Sequence, residues 1–260
     1  MHSLTIVKVG GKIVEESASL GRLLSDFSSL KGNKLLVHGG GRSATAVASQ
    51  LGIESKMVEG RRITDAEMLK VVTMVYGGLV NKTIVAGLQA MDVNALGLTG
   101  ADMNLMRSDK RPVKEVDYGF VGDVKEVNAG LLSSLIEQGV VPVLAPLTHD
   151  KKGSLLNTNA DVIAGEAAKA LAQYFDVTLV FCFEKKGVLR DETNDDSVIP
   201  VITPPLYKRY VEQGIIQGVM MPKLENAFEA LRKGVKKVII TEASQLGKKT
   251  GTTVVLEEEG

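Results

Sequence analysis

Two apolar, β-branched runs in this chain end on bare backbone. "TIVKVGGK", Thr5 to Lys12, sets Lys8 just ahead of Gly10 and Gly11, and "LLVHGGGRSATAVA" sets Gly39, Gly40 and Gly41 ahead of a segment with helical spacing. A strand that stops at glycines and leads into a helix offers unblocked backbone N–H groups and a helix N-terminus to one spot. That combination suits an anion, phosphate above all. Either loop alone is equally well read as a tight turn needing positive φ; two together, one headed by a lysine, favour phosphate. The class of phosphate site stays open on these residues. Gly39, Gly41 and Ala44 spell GxGxxA between strand and helix, the dinucleotide fingerprint, with Glu59 at a tolerable distance. That reading gives Lys8, Gly10 and Gly11 no task. A P-loop is excluded, because Glu242 stands where the pair beginning at Gly247 would need its first glycine.

Such loops need strands to carry them. Short runs rich in β-branched and other apolar residues, "LTIVKV", "KLLVHG", "NALGLT", "VVPVLA", "VTLVFCF" and "KKVIIT", alternate with segments of helical spacing. The clearest helices span Asp65 to Met91, Ala129 to Gln138, Asp161 to Gln173 and Met221 to Lys233. The alternation predicts an α/β fold, an open and mostly parallel sheet covered on both faces, with ligands beyond the carboxyl ends of its strands. A boundary near Gln173 divides a longer half, residues 1–173, from a shorter one, residues 174–260. The polar stretch Leu189 to Ser197 reads as a loop projecting into water.

Composition narrows the partners. Among 260 residues, 31 Lys and Arg balance 31 Asp and Glu, so no basic field calls for nucleic acid or an anionic membrane, and a small molecule is expected. The N-terminus lacks the pattern of a secretory leader, and no apolar stretch is expected to approach the roughly 18 residues of a membrane span. A soluble, cytoplasmic protein is expected. Cys182 stands alone and three scattered histidines show no metal-ligand spacing, so neither a disulfide nor a metal site is expected.

The motifs "KVGG" at Lys8, "VHGGG" at Val37, "GRRIT" at Gly60, "LNTNAD" at Leu156 and "GVMMPK" at Gly218 follow the order and approximate spacing of the amino acid kinase family. The chain resembles that family from Lys8 to about Lys237, and is most similar to its members that phosphorylate N-acetylglutamate. The glycine motifs are unspecific singly. Together with "GRRIT" and "NTNAD" they are specific, since carbamate, UMP and aspartate kinases differ around those two. The resemblance implies an αβα sandwich around a sheet of about eight strands. Its first half would bind acylglutamate and form a homodimer; its second would bind ATP, with Mg2+ held mainly by phosphate oxygens. The same resemblance makes Lys8 and Lys223 the cations that hold the transferring group, with Asp161 orienting both. Gly10 and Gly11 would donate N–H groups to the ATP phosphates, and Gly39 and Gly40 would line the place where γ-phosphate meets the acceptor carboxylate. Arg62 would take the α-carboxylate, while Asn157 and Asn159 would hydrogen-bond the acylamino group and the substrate carboxylates. Glu184 stands near a nucleotide-side aspartate of the relatives.

The chemistry agrees with that implication. A carboxylate acceptor is already ionised near neutral pH and needs no general base, so the obstacle is repulsion between anions, met by fixed cations and N–H donors. The implied reaction is phosphorylation of the side-chain carboxylate of N-acetyl-L-glutamate, toward arginine or ornithine. Bland readings stand beside it. Arg62 could be a solvated surface charge, Asn159 or Asp161 could merely cap a helix, and His38 reads as packing at a strand end. Lys151, Lys152, Lys185 and Lys186 read as solvated. Departures from the family fall at Glu184 in "CFEKKG", at Val219 and Met103 where glycine is common, and at Arg61 where relatives are apolar. Adjacent residues of an extended segment face opposite ways, which would send Arg61 to solvent or to a dimer partner. Were the segment to turn, Arg61 would suit an acyl group with its own carboxylate, such as succinyl. N-succinylglutamate is therefore an alternative substrate, a non-catalytic acylamino-acid-binding protein is a second alternative, and a dehydrogenase built on GxGxxA is a third.

Overall fold

All six apolar runs fold as strands, and they stand in one sheet. The computed structural model describes residues 1–58, 60–218, 220–248 and 250–257; Glu59 and Val219, both singled out above, lie outside the described residues. In chain order the strands are β1 (Ser3–Val9), β2 (Asn33–His38), β3 (Met57–Val58), β4 (Arg61–Arg62), β5 (Ala95–Leu98), β6 (Met106–Lys110), β7 (Gly122–Val127), β8 (Val141–Leu144), β9 (Leu147–His149), β10 (Leu155–Asn157), β11 (Asp176–Phe183), β12 (Val201–Ile202), β13 (Lys237–Glu242) and β14 (Thr252–Val254). The helices are α1 (Gly11–Glu15), α2 (Ser17–Ser29), α3 (Gly41–Gln50), α4 (Ala66–Val72), α5 (Asn81–Gln89), α6 (Ala129–Glu137), α7 (Ala160–Leu171), α8 (Pro204–Glu212) and α9 (Met220–Arg232), with a π-helical segment (Thr73–Val80) joining α4 to α5.

The main sheet has eight strands in the order β12-β14-β13-β11-β1-β2-β8-β5, parallel throughout except where β13 meets β14. Strands from before residue 173 fill one side and strands from after it fill the other, meeting at β1 and β11. Side chains alternate between faces along each strand, so each face has its own core. Leu4, Ile6, Leu35, Val37, Leu179 and Phe181 pack with Leu132 of α6, Ala164 and Ala168 of α7 and Phe228 of α9. Val7, Val9, Leu36, Val143 and Val180 pack with Leu23 and Phe27 of α2, Ala44 of α3, Val72 of α4 and Ile84 of α5. The register aligns Lys8 with Val37 on one side and Phe181 on the other, which brings the carboxyl ends of β1, β2 and β11 together.

Two features depart from the expectations. Ala66–Gln89 runs as one helical stretch of 24 residues, long and apolar enough by length and composition to cross a membrane. The helix lies where the spacing from Asp65 to Met91 puts one; what overturns the expectation is its span-like length and apolarity, which the charged residues and glycines interrupting its apolar runs disguise. Met68, Val71, Val75, Ile84 and Leu88 along it are buried in the core, where an apolar helix has an ordinary place. Asp65 starts it, accepting the Met68 N–H at 2.8 Å. The second feature is a smaller sheet, ordered β10-β9-β6-β7, with the hairpin β3-β4 nearby. Bridges from Val121 to Asn157 and from Thr64 to Gly119 tie these pieces over the carboxyl ends of the main strands. Of the polar stretch Leu189 to Ser197, residues 190–196 are exposed as expected, whereas Leu189 is buried and Ser197 only partly exposed.

Candidate active site

The glycines of the two loops have divided tasks. Gly10 N–H is directed at Cys182 O, 3.3 Å away, and Gly39 N–H at Val9 O, 2.9 Å away, so both anchor their loops to strand ends. The N–H groups of Gly11, Gly40 and Gly41 have no hydrogen-bond partner among the described residues. These three converge. A Cβ built on Gly11 would lie 3.4 Å from Gly41 N and 3.5 Å from Gly40 N, and one on Gly39 would lie 3.0 Å from Gly11 N. At Gly39 the absence of a Cβ is what lets the two backbones approach this closely. Glu15 takes the third N–H of α3, its Oε1 accepting from Ser43 N–H at 2.5 Å. The arrangement is a concave array of free donors at a helix start, suited to an oxyanion.

Beneath it lies an ion triad. Lys8 projects from β1, Asp161 from the first turn of α7 and Lys223 from α9. Lys8 Nζ is 2.8 Å from Asp161 Oδ1 and Lys223 Nζ is 2.7 Å from Oδ2. Their side chains are 12%, 19% and 13% exposed, and Lys223 Nζ also sits 5.5 Å from the Phe181 ring centroid. Burial alone would raise the Asp161 carboxyl, but the two ammonium groups together outweigh it and hold it well below the usual carboxylate range. Burial lowers Lys223 from its ordinary value, with Asp161 opposing the shift. Two cations face one anion, so the triad carries net positive charge. An ionised carboxylate locked between two lysines orients them and does not accept a proton.

The remaining predicted residues meet around a cavity of about 230 Å³ lined by Lys8, Gly39, Gly40, Arg62, Asn157, Asn159 and Asp161. Arg62 is 8% exposed, which removes the solvated-surface reading. Its Nη2 donates to Gly41 O at 2.7 Å and to Thr45 Oγ1 at 2.9 Å, and its Nη1 donates to Ser55 Oγ. Asn157 Nδ2 donates to Thr64 Oγ1 at 2.9 Å. Asn159 is the cap of α7, its Oδ1 accepting the Asp161 N–H at 2.7 Å, so the bland reading of that residue holds alongside its place in the cavity wall. Glu184 is elsewhere, paired with Lys12 at 2.7 Å in a second depression that also involves Gly10, Gly11 and Phe183. The glycine loops separate the two depressions.

Other lining residues carried no sequence signal. Tyr76 lies in the π-helical segment, 5% exposed, and looks from its spacing like an ordinary core residue. Arg111 and Asp123, an ion pair on the smaller sheet, line the same cavity. Arg61 does too, although its exposed side chain fitted the expectation that it faces away. Met103 does not line it. Met103 is 63% exposed with φ 52°, a left-handed conformation that glycine adopts more readily than methionine. Cys182 is buried, its thiol pushed up to about 12 by that burial, and is inert.

The model of the amino acid kinase family matches residues 3–242. The chain is 74% identical to the acetylglutamate kinase of Parabacteroides distasonis over 254 residues, covering 98% of this chain and 100% of that one. A Streptococcus mutans protein of known structure superposes with a TM-score of 0.81 at 26% identity, covering 98% of this chain and 99% of that one. The carbamate kinase of Giardia lamblia shares the fold at a TM-score of 0.73 and 14% identity, with 98% of both chains covered.

Proposed function

The chain belongs to the amino acid kinase family, and on that premise we propose that it transfers the γ-phosphoryl group of ATP to the side-chain carboxylate of N-acetyl-L-glutamate. The product is the acyl phosphate on the way to arginine or ornithine. The observation that carries the reading is the Lys8–Asp161–Lys223 triad beneath the free N–H groups of Gly11, Gly40 and Gly41. The acceptor carboxylate attacks the γ-phosphorus, the bond to the ADP oxygen breaks, and the charge moves to the β-phosphate. Lys8 and Lys223 neutralise charge along that path while the glycine N–H groups hold the equatorial oxygens, so catalysis is positioning and charge stabilisation. Arg62, already oriented by Gly41 O and Thr45, takes the α-carboxylate with its remaining donors. Asn157 and Asn159 hold the acylamino group and the carboxylates. Among the described residues no three His, Cys, Asp or Glu side chains converge on one point. Mg2+ would come with ATP, held mainly by phosphate oxygens, and would supply charge neutralisation there.

In this reading residues 1–173 hold the acylglutamate and residues 174–260, with Glu184 at the mouth, hold ATP. The protein works in the cytoplasm as a homodimer formed through the first half. Support for the dimer comes from the open edge of the sheet at β5, where Leu96 is 38% exposed, and from Met74 and Leu79, 53% and 59% exposed on the long helix.

A second reading has an observation in its favour. Arg61 lines the cavity beside Arg62, with Arg111 there already paired to Asp123, so one arginine is left over for which a neutral acetyl group has no use, and N-succinylglutamate would bring the matching carboxylate. Coupled ADP release with each acylglutamate, on the native protein and on Arg61→Leu, separates the readings. Release should require both ATP and an acylglutamate. A succinyl preference that collapses in Arg61→Leu supports the second reading, and one that survives removes Arg61 from it. A clear acetyl preference removes it altogether, and no release with either substrate leaves only a binding protein.

A further inference from the structure

We propose that His38 and Asn81 are positioning residues: together they fix the peptide between Gly39 and Gly40, and so aim the Gly40 N–H at the transferring phosphoryl group. His38 is fully buried at the end of β2, where its Nδ1 lies 2.7 Å from Gly39 O and its Nε2 lies 3.1 Å from Asn81 Nδ2. A carbonyl only accepts, so Nδ1 carries the proton and Nε2 of the neutral ring accepts from the amide. The other amide hydrogen of Asn81 goes to Val143 O at 3.0 Å. Turning that amide over would set its oxygen against two acceptors, so the network has one arrangement. Its cost is visible: Asn81 Oδ1 is buried with no hydrogen-bond partner among the described residues, and it occupies space that a Cβ on Gly97 would invade, at 1.9 Å.

The peptide plane carries the consequence. Gly39 O and Gly40 N–H belong to one rigid trans peptide and point opposite ways, so a donor that holds the oxygen sets the direction of the N–H. The preceding peptide is held independently through the bond from Gly39 N–H to Val9 O. From the other side, a Cβ on Gly40 would lie 2.9 Å from Tyr76 Cδ1 and 3.5 Å from Val80 Cγ2. The π-helical segment makes this convergence possible. Five residues along an α-helix, Tyr76 and Asn81 would point about 140° apart, whereas the wider π winding of Thr73–Val80 turns less per residue and narrows that angle. Tyr76 closes the outer face of the loop while Asn81 holds His38 beneath it. Burial lowers the imidazole to about 4, which keeps the ring neutral, as the donor pattern requires.

The activity test rests on the kinase reading; the geometric test does not. In His38→Asn the amide nitrogen can take the place of Nδ1 and still donate to Gly39 O, whereas in His38→Gln the amide reaches only the Nε2 position. Turnover in coupled ADP release should stay within about threefold of native in His38→Asn and fall at least about tenfold in His38→Gln, with the loss in kcat and little change in KM. Thermal unfolding should shift both variants alike, as a merely structural role cannot split them by turnover. Equal turnover losses, or a His38→Gln enzyme as active as native, would overturn the proposal. Independently of any activity, the side-chain nitrogen resonances of His38 in the native protein should show a protonated Nδ1 and a bare Nε2 at pH 7. The opposite tautomer would overturn it even if the variants failed to fold or no acylglutamate were turned over.

Discussion

Replacing Lys223 by alanine is expected to lower turnover by at least about a hundredfold while leaving the fold in place. Lys8 and Lys223 flank a single carboxylate, so the triad holds one cation more than it needs for its own neutrality. Removing Lys223 leaves a neutral Lys8–Asp161 pair, structurally sound but short of the charge that meets the phosphoryl group. Asp161→Asn should be equally inactive for a different reason. It leaves two buried ammonium groups side by side with no counter-ion, at a cost of roughly 3 kcal/mol in stability. Unfolding curves and steady-state rates for the two variants therefore separate. Lys223→Ala should lose kcat with near-native stability, and Asp161→Asn should lose both. If Asp161 were only a helix-start residue, its asparagine variant would keep its activity, and the role assigned to the triad would be wrong.

Gly39→Ala should be the next most damaging change. A methyl there would lie 3.0 Å from Gly11 N and 3.5 Å from both Gly10 C and Gly11 Cα, all backbone atoms that cannot rotate aside. The loops would have to part, at about 1–3 kcal/mol of stability and at least about tenfold in turnover, because the donors on both loops move. Gly11→Ala is the informative comparison. Its methyl would meet Gly40 N and Gly41 N at 3.5 and 3.4 Å, close but tolerable, and would cover the donors instead of prising the loops apart. Activity should fall there with little change in the unfolding midpoint, and a Gly11→Ala enzyme with native turnover would show that the N–H array does not hold phosphate.

The sheet was legible because its strands are short, β-branched and buried on both faces, a signal that local spacing carries well. The long helix from Ala66 was legible from its helical spacing, with Asp65 ahead of it an ordinary start signal, although its span-like length was not. The smaller sheet was not. "MRSDK" and "GDVKEV" are polar and largely part-exposed, and they pair with each other with a register shift, the first also with β9, which their local spacing does not announce. The triad is a matter of three-dimensional register: nothing in the spacing of Lys8, Asp161 and Lys223 brings them together, and only family likeness placed them in one site. Within the loops, a run of glycines cannot say which N–H groups are free, since Gly10 and Gly39 are bound by the ends of neighbouring strands. Tyr76 and Asn81 were hidden by the π turn, which breaks the period that a helical reading assumes. His38 did read as a packing residue, and it is one; its hydrogen bonds become visible only with Asn81 folded against it.

The account stands on a carboxylate being the acceptor, and trapping the product tests that most directly. Hydroxylamine attacks an acyl phosphate at its carbonyl carbon, forming a hydroxamate and releasing phosphate, and it leaves ATP and the free acylglutamate unchanged. With ATP, Mg2+ and an acylglutamate, the protein should form the side-chain hydroxamate of that acylglutamate in step with ADP, identified by mass. ADP formed without any hydroxamate would mean that the phosphoryl group goes to water or to another acceptor, and would contradict the account.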